Sequence, residues 1–392
     1  MKASVTMAKS NGLLFLTHVG DPGGAEFKML DLCNTVGDSA EVMLFQHGSL
    51  ERILRERGIR YSVCPMGRAA SVVRRESGLL GMVKAIPATL HLLGKLCRKA
   101  RQFEAVVCMS QKSFVLASLG KVFIRRPILW FMNDILSTDH FSAMAIRVIV
   151  WLSRYSADHI VLNSNASLEY WLASGGRNTR LSVIYPVTLD DEKAAHAPDA
   201  MQVSFCRRKY SPDGKPLIGM FGRISRWKGQ EVFLRAMAEI PDVNAVIAGG
   251  AHFGEQEYDR HLRALARELG VQGRVVFAGH VDNALALMAS CDVVTHCSTS
   301  PEPFGQVILQ SMLVGTPVIA TDAGGAREIV IHDETGQLTP MKNHHALAVA
   351  IRRCLADPQW SRQLARQARE LAQLKFSATA MASRFTRILE TL

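Results

Sequence analysis

Short runs of apolar residues alternate along this chain with longer segments in which apolar residues recur every three or four positions. The short runs are typical of β-strands buried on both faces of a parallel sheet, and the longer segments are typical of the helices that cover such a sheet. This alternation predicts an α/β fold. In the first half of the chain we predict strands at residues 13–17, 41–45, 61–64, 105–109, 128–132, 159–162 and 182–185.

A second series of the same kind follows residue 215. Between the two series, residues 188–215 combine proline, glycine and acidic residues with mixed charge, which is typical of an interdomain linker or an insertion. The chain is therefore predicted to form two doubly wound parallel-sheet domains, with a cleft between their strand ends. The second series has predicted strands at 216–221, 245–248, 274–278, 292–297 and 317–321, and predicted helices at 230–240, 255–269, 343–356 and 360–390.

Residues 298–317 contain the strongest candidate for a ligand site. A buried strand leads into this stretch, and a short apolar helix follows it before the next strand. In such a unit a ligand sits beyond the carboxyl end of the strand, against the unpaired N–H groups of the helix. Glu302, Phe304 and Gly305 occupy that place, with a carboxylate for a polyol and a glycine for close backbone approach. An ordinary proline-rich loop is the alternative.

Two further loops contain glycines after a predicted strand. Residues 222–229 place Arg223 and Lys228 between two glycines, and two cations there suit a diphosphate beside a polyhydroxyl group. Solvated surface cations are an equally good explanation of this loop taken alone. The loop at 20–24 suits close approach to a diphosphate or sugar, or is a simple tight turn. It lacks the full Gly-x-Gly-x-x-Gly pattern, which disfavours a Rossmann dehydrogenase.

Positive charge is concentrated in the first half of the chain. The net charge is +11, and residues 52–126 contain 16 Lys and Arg against three Asp and Glu. Residues 79–101 form an amphipathic pattern with one apolar and one basic face, which Pro87 should kink or interrupt. Such a helix either lies on an anionic membrane surface or covers the sheet with a solvated basic face. We expect the membrane, rather than a nucleic acid, to be the anionic partner.

Composition and motifs exclude several other classes. Apolar content of 48% and charged content of 21% are those of a globular protein, and no stretch of about 18 uncharged apolar residues predicts a membrane span. The first residues lack the apolar segment of a signal peptide, and the eight scattered cysteines suggest a reduced, cytoplasmic protein. There is no Walker motif, nucleophile elbow or metal-ligand cluster, so we expect no metal and no cofactor.

A set of short motifs resembles glycosyltransferase family 4, the retaining enzymes of the GT-B fold, over essentially the whole chain. Each motif is weak alone, but their order and spacing are specific. They are Gly23-Gly24-Ala25-Glu26, Gly222-Arg223 with Lys228-Gly229, Gly249-Gly250, Glu302-x-Phe304-Gly305, Gly315-Thr-Pro-Val-Ile319, Gly324-Gly325 and Glu328-Ile329-Val330.

The resemblance implies a division of labour between two Rossmann-like domains. Residues 1–187 would bind the acceptor and residues 216–375 the nucleotide sugar, while a terminal helix at 376–392 would cross back to pack toward the first domain. Arg223 and Lys228 would hold the donor diphosphate. Glu302 and the backbone of Phe304 and Gly305 would bind the donor sugar. The Gly23-Gly24 loop would cover the phosphates. The other residues implied at the donor site are Gly222, Gly249, Gly250, Asp282, Gln306 and Gln310.

The chain departs from the family pattern at two places. The family usually has a second glutamate eight residues after the first, on the nucleotide ribose, and here that position is Gln310, which loses a charge-assisted acceptor. A histidine often follows the strand at 128–132, and here Asn133 and Asp134 follow it. These two residues and Glu26 are the candidates for contacts to the sugar or the acceptor.

The predicted activity is transfer of a hexose, with retention and without a metal, to a lipid-linked or polysaccharide acceptor at the inner membrane face. Asp282 favours a guanine base, because a carboxylate can accept from its two adjacent donors. The Pro301-Glu-Pro-Phe-Gly305 stretch resembles bacterial exopolysaccharide mannosyltransferases that use GDP-mannose, and this resemblance implies GDP-mannose as the donor. Capping of the following helix is an equally good explanation of Asp282. The alternatives are a UDP-sugar enzyme, a nucleotide-sugar-binding protein without activity, and an epimerase or phosphorylase of the same fold.

Overall fold

The computed structural model describes residues 12–65, 79–138, 141–177, 180–187, 197–251 and 254–392, with only the backbone described for residues 79–86. Contacts along the chain divide it into two compact units. The first contains Met1–Asn163, Ser167–Ile184 and Ala382–Leu392, and the second contains Ser164–Ala166 and Tyr185–Met381.

The described part of the first unit contains a seven-stranded sheet in which all neighbours are parallel. Its strands are β1 (Leu13–Thr17), β2 (Ala40–Leu44), β3 (Arg60–Val63), β4 (Ala105–Cys108), β5 (Ile128–Met132), β6 (His159–Leu162) and β7 (Leu181–Val183), in the order β3-β2-β1-β4-β5-β6-β7. The helices between them are α1 (Gly24–Val36), α2 (Leu50–Glu56), α3 (Leu79–Ala100), α4 (Gln111–Leu119), α5 (Lys121–Ile124), α6 (Ala143–Ser156) and α7 (Asn165–Ala173).

The second unit repeats this plan with a six-stranded parallel sheet in the described residues. Its strands are β8 (Leu217–Phe221), β9 (Asn244–Ala248), β10 (Val275–Gly279), β11 (Val293–His296), β12 (Val318–Thr321) and β13 (Gln337–Thr339), in the order β10-β9-β8-β11-β12-β13. Its helices are α8 (Ala200–Tyr210), α9 (Gln230–Glu239), α10 (Gln256–Glu268), α11 (Ala284–Ser290), α12 (Gln306–Val314), α13 (Ala326–Ile329), α14 (His344–Ala356) and α15 (Pro358–Lys375). A last helix, α16 (Ala378–Leu389), begins in this unit and ends in the first.

Strand β5 is the centre of the first unit's core and is buried on both faces. On one face the Trp130 ring stacks on Phe114 with 4.1 Å between ring centroids and meets Trp171 edge-on at 5.7 Å. On the other face Phe131 meets Phe385, which α16 contributes, at 5.8 Å. The predicted return of the terminal helix to the first domain is confirmed by this packing of its second half.

Three elements differ from the sequence prediction. Helix α8 lies inside the predicted linker or insertion, where Asp199 caps it and Cys206 and Tyr210 are buried. Strand β13 was not predicted, because three residues with one apolar side chain carry no recognisable pattern. Helix α3 continues through Pro87 without interruption, and burial of Leu92 and Leu96 after the proline stabilises it.

The predicted helix at 360–390 is divided into α15 and α16 at Phe376. The other predicted strands and helices appear within a few residues of their observed bounds, and two parallel-sheet domains of the predicted type are confirmed. Residues 188–196, in the predicted linker, lie outside the described residues. In the described part of the chain no helix is long and apolar enough to cross a bilayer.

We expect Phe114→Ala to lower the free energy of unfolding of the first unit by about 3–5 kcal/mol, because it removes a fully buried ring stacked on Trp130 and leaves a cavity. Phe123→Ala is the matched control, since the Phe123 ring is 58% exposed, and it should change the stability by about 0.5 kcal/mol or less. Urea unfolding followed by tryptophan fluorescence measures both. Equal effects of the two substitutions would contradict this description of the core.

Candidate active site

The candidate site of the second unit lies at the carboxyl edge of its sheet. Strands β9, β8, β11 and β12 are neighbours and run parallel, so the loops that follow them emerge at the same edge. In parallel α/β sheets this is the edge where ligands bind. The loops at 222–229, 249–251 and 297–305 therefore lie together, as the sequence predicts.

Glycines allow these loops to touch through their backbones. A Cβ on Gly249 would lie 2.0 Å from the Gly222 carbonyl oxygen, and one on Gly229 would lie 1.9 Å from the Cys297 carbonyl oxygen. All three glycines have positive φ angles. The N–H of Thr299 also donates to the Trp227 carbonyl at 2.8 Å. The loop after β8 is thus fixed against the loop after β11.

This packing brings Lys228 to Glu302, which is only 6% exposed. The Lys228 ammonium forms an ion pair with the Glu302 carboxylate. Ser298 Oγ donates to the same oxygen, Glu302 Oε1, at 2.6 Å, and His296 Nε2 lies 3.2 Å from it. Among the described residues every partner of Glu302's carboxylate contacts Oε1, so Oε2 is left to accept a hydrogen bond from a ligand.

The charges around Glu302 keep it ionised. Burial raises its pKa, but the Lys228 and His296 charges and their hydrogen bonds outweigh burial and hold the pKa of this carboxyl well below its usual value. A buried carboxylate with paired cations is stable only as a unit, because removal of one partner leaves an uncompensated charge.

Arg223 begins the same loop but lies in a more exposed position than Lys228. Its guanidinium lies 5.9 Å from the Trp227 ring centroid, and the Lys228 ammonium lies 4.3 Å from that ring. Gln230 donates to the Arg223 carbonyl at 3.1 Å, which holds the backbone of the loop. The two predicted phosphate ligands are therefore placed around one indole.

The segment after Glu302 leads directly into a helix. A Cβ on Gly324 would lie 2.4 Å from the Glu302 carbonyl oxygen, and the N–H of Gly325 donates to that oxygen at 2.9 Å, so the Gly324-Gly325 motif supports this segment. Gly305 precedes α12 with a φ of 112°, and the first N–H groups of α12 have no partner inside the helix. Gln306 and Gln310 are half-buried and one turn apart on this helix.

Two other motif residues have different surroundings. Asp282 is fully exposed, 3.6 Å from His280, and Asn283 rather than Asp282 caps α11, so the capping alternative for Asp282 is wrong. The Glu328 carboxylate accepts hydrogen bonds from the N–H of Ala166 at 2.7 Å and from the Tyr185 hydroxyl at 2.9 Å. These hydrogen bonds give Glu328 a structural role within the second unit.

In the first unit the Gly23-Gly24 loop precedes α1, and Glu26 holds it in place. Glu26 is 5% exposed; its Oε2 accepts from the N–H of Gly23 at 3.0 Å and its Oε1 accepts from Thr17 at 2.9 Å. Glu26 was predicted to contact the sugar or the acceptor, and its described contacts stabilise the glycine loop.

Polar atoms without partners lie after three adjacent strands of the first unit. His18 follows β1, Gln111 follows β4 and Asn133 follows β5, and in the described residues His18 Nδ1, Gln111 Nε2 and Asn133 Oδ1 are buried without a hydrogen-bond partner. Burial and the nearby Lys112 charge lower the pKa of His18 to about 4, so its ring is neutral. Asp134 is exposed.

A buried lysine supports this strand edge from within. Lys28 is 1% exposed, donates to Asn163 Oδ1 and lies 5.1 Å from the Phe131 ring centroid, and burial lowers the pKa of its ammonium to about 7. Asn163 in turn donates to the Asn133 carbonyl at 3.2 Å. The sequence did not single out Lys28, because an isolated cation in a helix does not reveal which face is buried.

His296 and Ser298 were also missed as members of the site. Both belong to the stretch around Glu302. The spacing of Ser298, four residues before Glu302, was the one available signal.

Comparisons with known proteins agree with this geometry. Residues 205–371 match the sequence profile of the family described as "Glycosyl transferases group 1". The crystal structures of Anabaena HepE, in complex with UDP and glucose and with UDP-glucose, are 33% identical to this chain with a TM-score of 0.87. The first of these similarities covers 97% of this chain and 99% of HepE.

Curated relatives match over shorter stretches. The lipopolysaccharide core biosynthesis glycosyltransferase LpsE of Rhizobium meliloti is 32% identical over 179 residues, which are 46% of this chain and 51% of LpsE. A GDP-mannose-dependent phosphatidylinositol monomannoside mannosyltransferase of Mycolicibacterium smegmatis is 27% identical, over 69% of this chain and 66% of that protein. The chain spans about half the length of the first curated relatives that it matches.

The profile match covers the unit that contains the Lys228–Glu302 pair, and the similarity to HepE extends over both units. The chain belongs to the glycosyl transferases group 1 family.

Proposed function

We propose that the protein is a retaining glycosyltransferase of family 4 that moves a hexose from a nucleoside-diphosphate sugar to a hydroxyl acceptor. The observation that carries this proposal is the buried Lys228–Glu302 pair at the start of α12. It places a cation for a diphosphate beside a carboxylate with a free oxygen for a sugar hydroxyl. A non-enzymatic binding protein would need the recognition groups but not this charge arrangement at the scissile bond.

The proposed chemistry is stabilisation of a leaving group. As the bond between the sugar and the diphosphate breaks, negative charge grows on the phosphate, and Arg223, Lys228 and the first N–H groups of α12 neutralise it. Since these cations supply the charge, no metal is required. In front-face attack the departing phosphate accepts the acceptor's proton, so no side-chain base is needed and the anomeric configuration is retained.

The surroundings of Glu302 suit it to hold the sugar. Ser298 and His296 orient its Oε1, and its Oε2 would accept from a hexose hydroxyl. Gln310, one turn along α12 from Gln306, would meet the nucleotide ribose through its amide. In the first unit, Asn133 Oδ1 is the candidate acceptor of a further hydroxyl, because it is buried without a partner in the described residues.

We expect Arg223→Ala and Lys228→Ala each to reduce turnover by roughly a hundred- to thousandfold, because each removes a cation from the developing charge, an effect of about 2.7–4 kcal/mol. The measurement is release of nucleoside diphosphate in the presence of donor and acceptor. Arg226→Ala is the matched control, since Arg226 belongs to the same loop but packs on Tyr258, 4.8 Å from its ring centroid. Near-normal turnover in both site variants would remove the assigned diphosphate site, and added EDTA should leave wild-type turnover unchanged.

The donor base has two candidates. The exposed Asp282 carboxylate supports guanine, and one GDP-mannose-dependent mannosyltransferase is among the relatives. The HepE complexes with UDP and UDP-glucose support uracil, at higher identity and over nearly all of both chains. Of the two we propose a UDP-sugar, with GDP-mannose as the second candidate, because the similarity to HepE covers 97% of this chain.

Titration calorimetry should show UDP binding at least about tenfold more tightly than GDP, with Asp282→Ala leaving the UDP affinity unchanged. A preference for GDP that Asp282→Ala abolishes would instead establish the guanine candidate. Arg223→Ala should weaken both nucleotides equally, because it acts on the diphosphate that they share.

We further propose that the protein works as a peripheral protein on the cytoplasmic face of the inner membrane, on a lipid-linked or polysaccharide acceptor. Two exposed apolar side chains of the first unit, Leu90 and Phe123, lie beside Arg98 and Arg101. The other large apolar side chains exposed in this unit include Leu119, Val122, Met144, Trp151 and Tyr155. The ring centroids of Trp151 and Tyr155, both on α6, lie 5.2 Å apart. Aromatic residues of this kind favour the membrane interface.

Replacement of Arg74, Arg75, Lys95 and Arg98 by Gln should release the protein from anionic vesicles, since each basic residue near such a surface contributes about 1 kcal/mol. Arg74 and Arg75 lie outside the described residues. Co-sedimentation at increasing salt measures the effect, and the wild type should dissociate as salt rises. Unchanged partitioning of the variant would show that α3 is an ordinary covering helix.

A further inference from the structure

An apolar groove of about 400 Å³ lies on the surface of the first unit, between the second half of α3 and the short helix α5. Leu90, Leu93 and Cys97 line it from α3, and Phe123 lines it from α5. Its volume is within the range of small-molecule sites, about 300–1,000 Å³. The Leu90 and Phe123 side chains are 61% and 58% exposed, so the protein leaves apolar surface uncovered here.

Gly94 keeps the groove open. It lies in the interior of α3, where glycine is unfavourable, and no atom lies within 4 Å of the place where its Cβ would be. Any side chain at this position would project into the groove. The two helices approach closely on the other side, where a Cβ on Gly120 would lie 2.9 Å from both Cys97 and Leu93.

Basic side chains surround one end of the groove. Arg98 and Arg101 line it, and Arg125 follows α5. Arg101 donates to the Phe123 carbonyl at 2.7 Å, which fastens the end of α3 to α5. In the described part of the chain neither Arg98 nor Arg101 forms an ion pair with an acidic residue, so both guanidinium groups can meet an anion at the groove.

We propose that this groove holds one hydrocarbon chain of an anionic membrane phospholipid, with the lipid phosphate at Arg98 and Arg101. The apolar lining and the cationic end match the two parts of such a lipid. The inference rests on the proposed membrane association and deepens it. A seated chain would anchor the first unit at a defined place, whereas charge alone would hold it in many orientations.

The soluble probe octyl phosphate, used below its micelle concentration, tests the groove by calorimetry. It should bind the full-length protein, about tenfold more tightly than hexyl phosphate, because two more methylenes are buried. Inorganic phosphate should bind more weakly than either. Equal affinities for the octyl and hexyl probes would overturn the proposal.

Gly94→Gln fills the groove with an uncharged polar side chain and should reduce the octyl phosphate affinity at least tenfold. Gly94→Ala is the matched control and should retain most of it. Both residues favour the helix over glycine, so folding should not suffer. Octyl phosphate binding to Gly94→Gln at wild-type affinity would show that the chain does not enter the groove.

Binding to vesicles of phosphatidylglycerol and of phosphatidylcholine tests whether the ligand of the groove is a membrane lipid. Gly94→Gln should bind phosphatidylglycerol vesicles several-fold more weakly than Gly94→Ala, and both should bind phosphatidylcholine poorly. Equal binding of the two variants to phosphatidylglycerol would overturn the assignment to a membrane lipid. UDP affinity, measured on the same samples, should be unchanged by either substitution, so failure of the groove and failure of the transferase proposal are separate results.

Discussion

The organisation of the second unit depends on one buried carboxylate. Glu302 is removed from water, and its charge is tolerated only because Lys228, Ser298 and His296 all approach one of its oxygens. That approach requires two loops to touch backbone to backbone, which glycine alone permits at Gly229. The same requirement places the start of α12 beside the carboxylate. A site with fixed charge, free carboxylate oxygen and unpaired N–H groups follows from meeting this one electrostatic constraint.

Both units contain buried polar atoms without a partner in the described residues, but the buried Lys228 and Glu302 charges of the second unit are paired with each other. In the proposed function the phosphates of the donor would therefore compete with Glu302 for Lys228. In the first unit, His18, Gln111 and Asn133 each have a buried atom without a partner in the described residues. An unpaired buried group costs about 1–3 kcal/mol, so a polyhydroxyl ligand that pairs with these atoms would recover stability that the empty protein lacks.

Helix α3 has one face buried in the core and another face with exposed apolar residues. Leu92 and Leu96 on its inner face are buried in the core, while Leu90 and Gly94 on its outer face leave apolar surface and a groove in contact with water. Burial of the inner face stabilises the helix despite Pro87. The outer face carries no comparable gain within the chain itself, and this is why its exposed apolar residues point to a partner.

The sequence by itself determined the fold and the place of the candidate site. Parallel strands buried on both faces form apolar runs that can be recognised in the sequence without knowing the neighbouring strands. Glycine-rich loops after such runs, as at Gly222 and Gly305, indicate the edge of the sheet where a ligand binds. The tertiary structure alone decided which side chains meet. Lys228 joins Glu302, and Lys28 supports Asn133 through Asn163, because chain segments far apart in sequence are brought together by the order of strands in the sheet. Periodicity predicts which face of an element is buried, but contact between two particular side chains depends on that strand order, which local sequence does not encode.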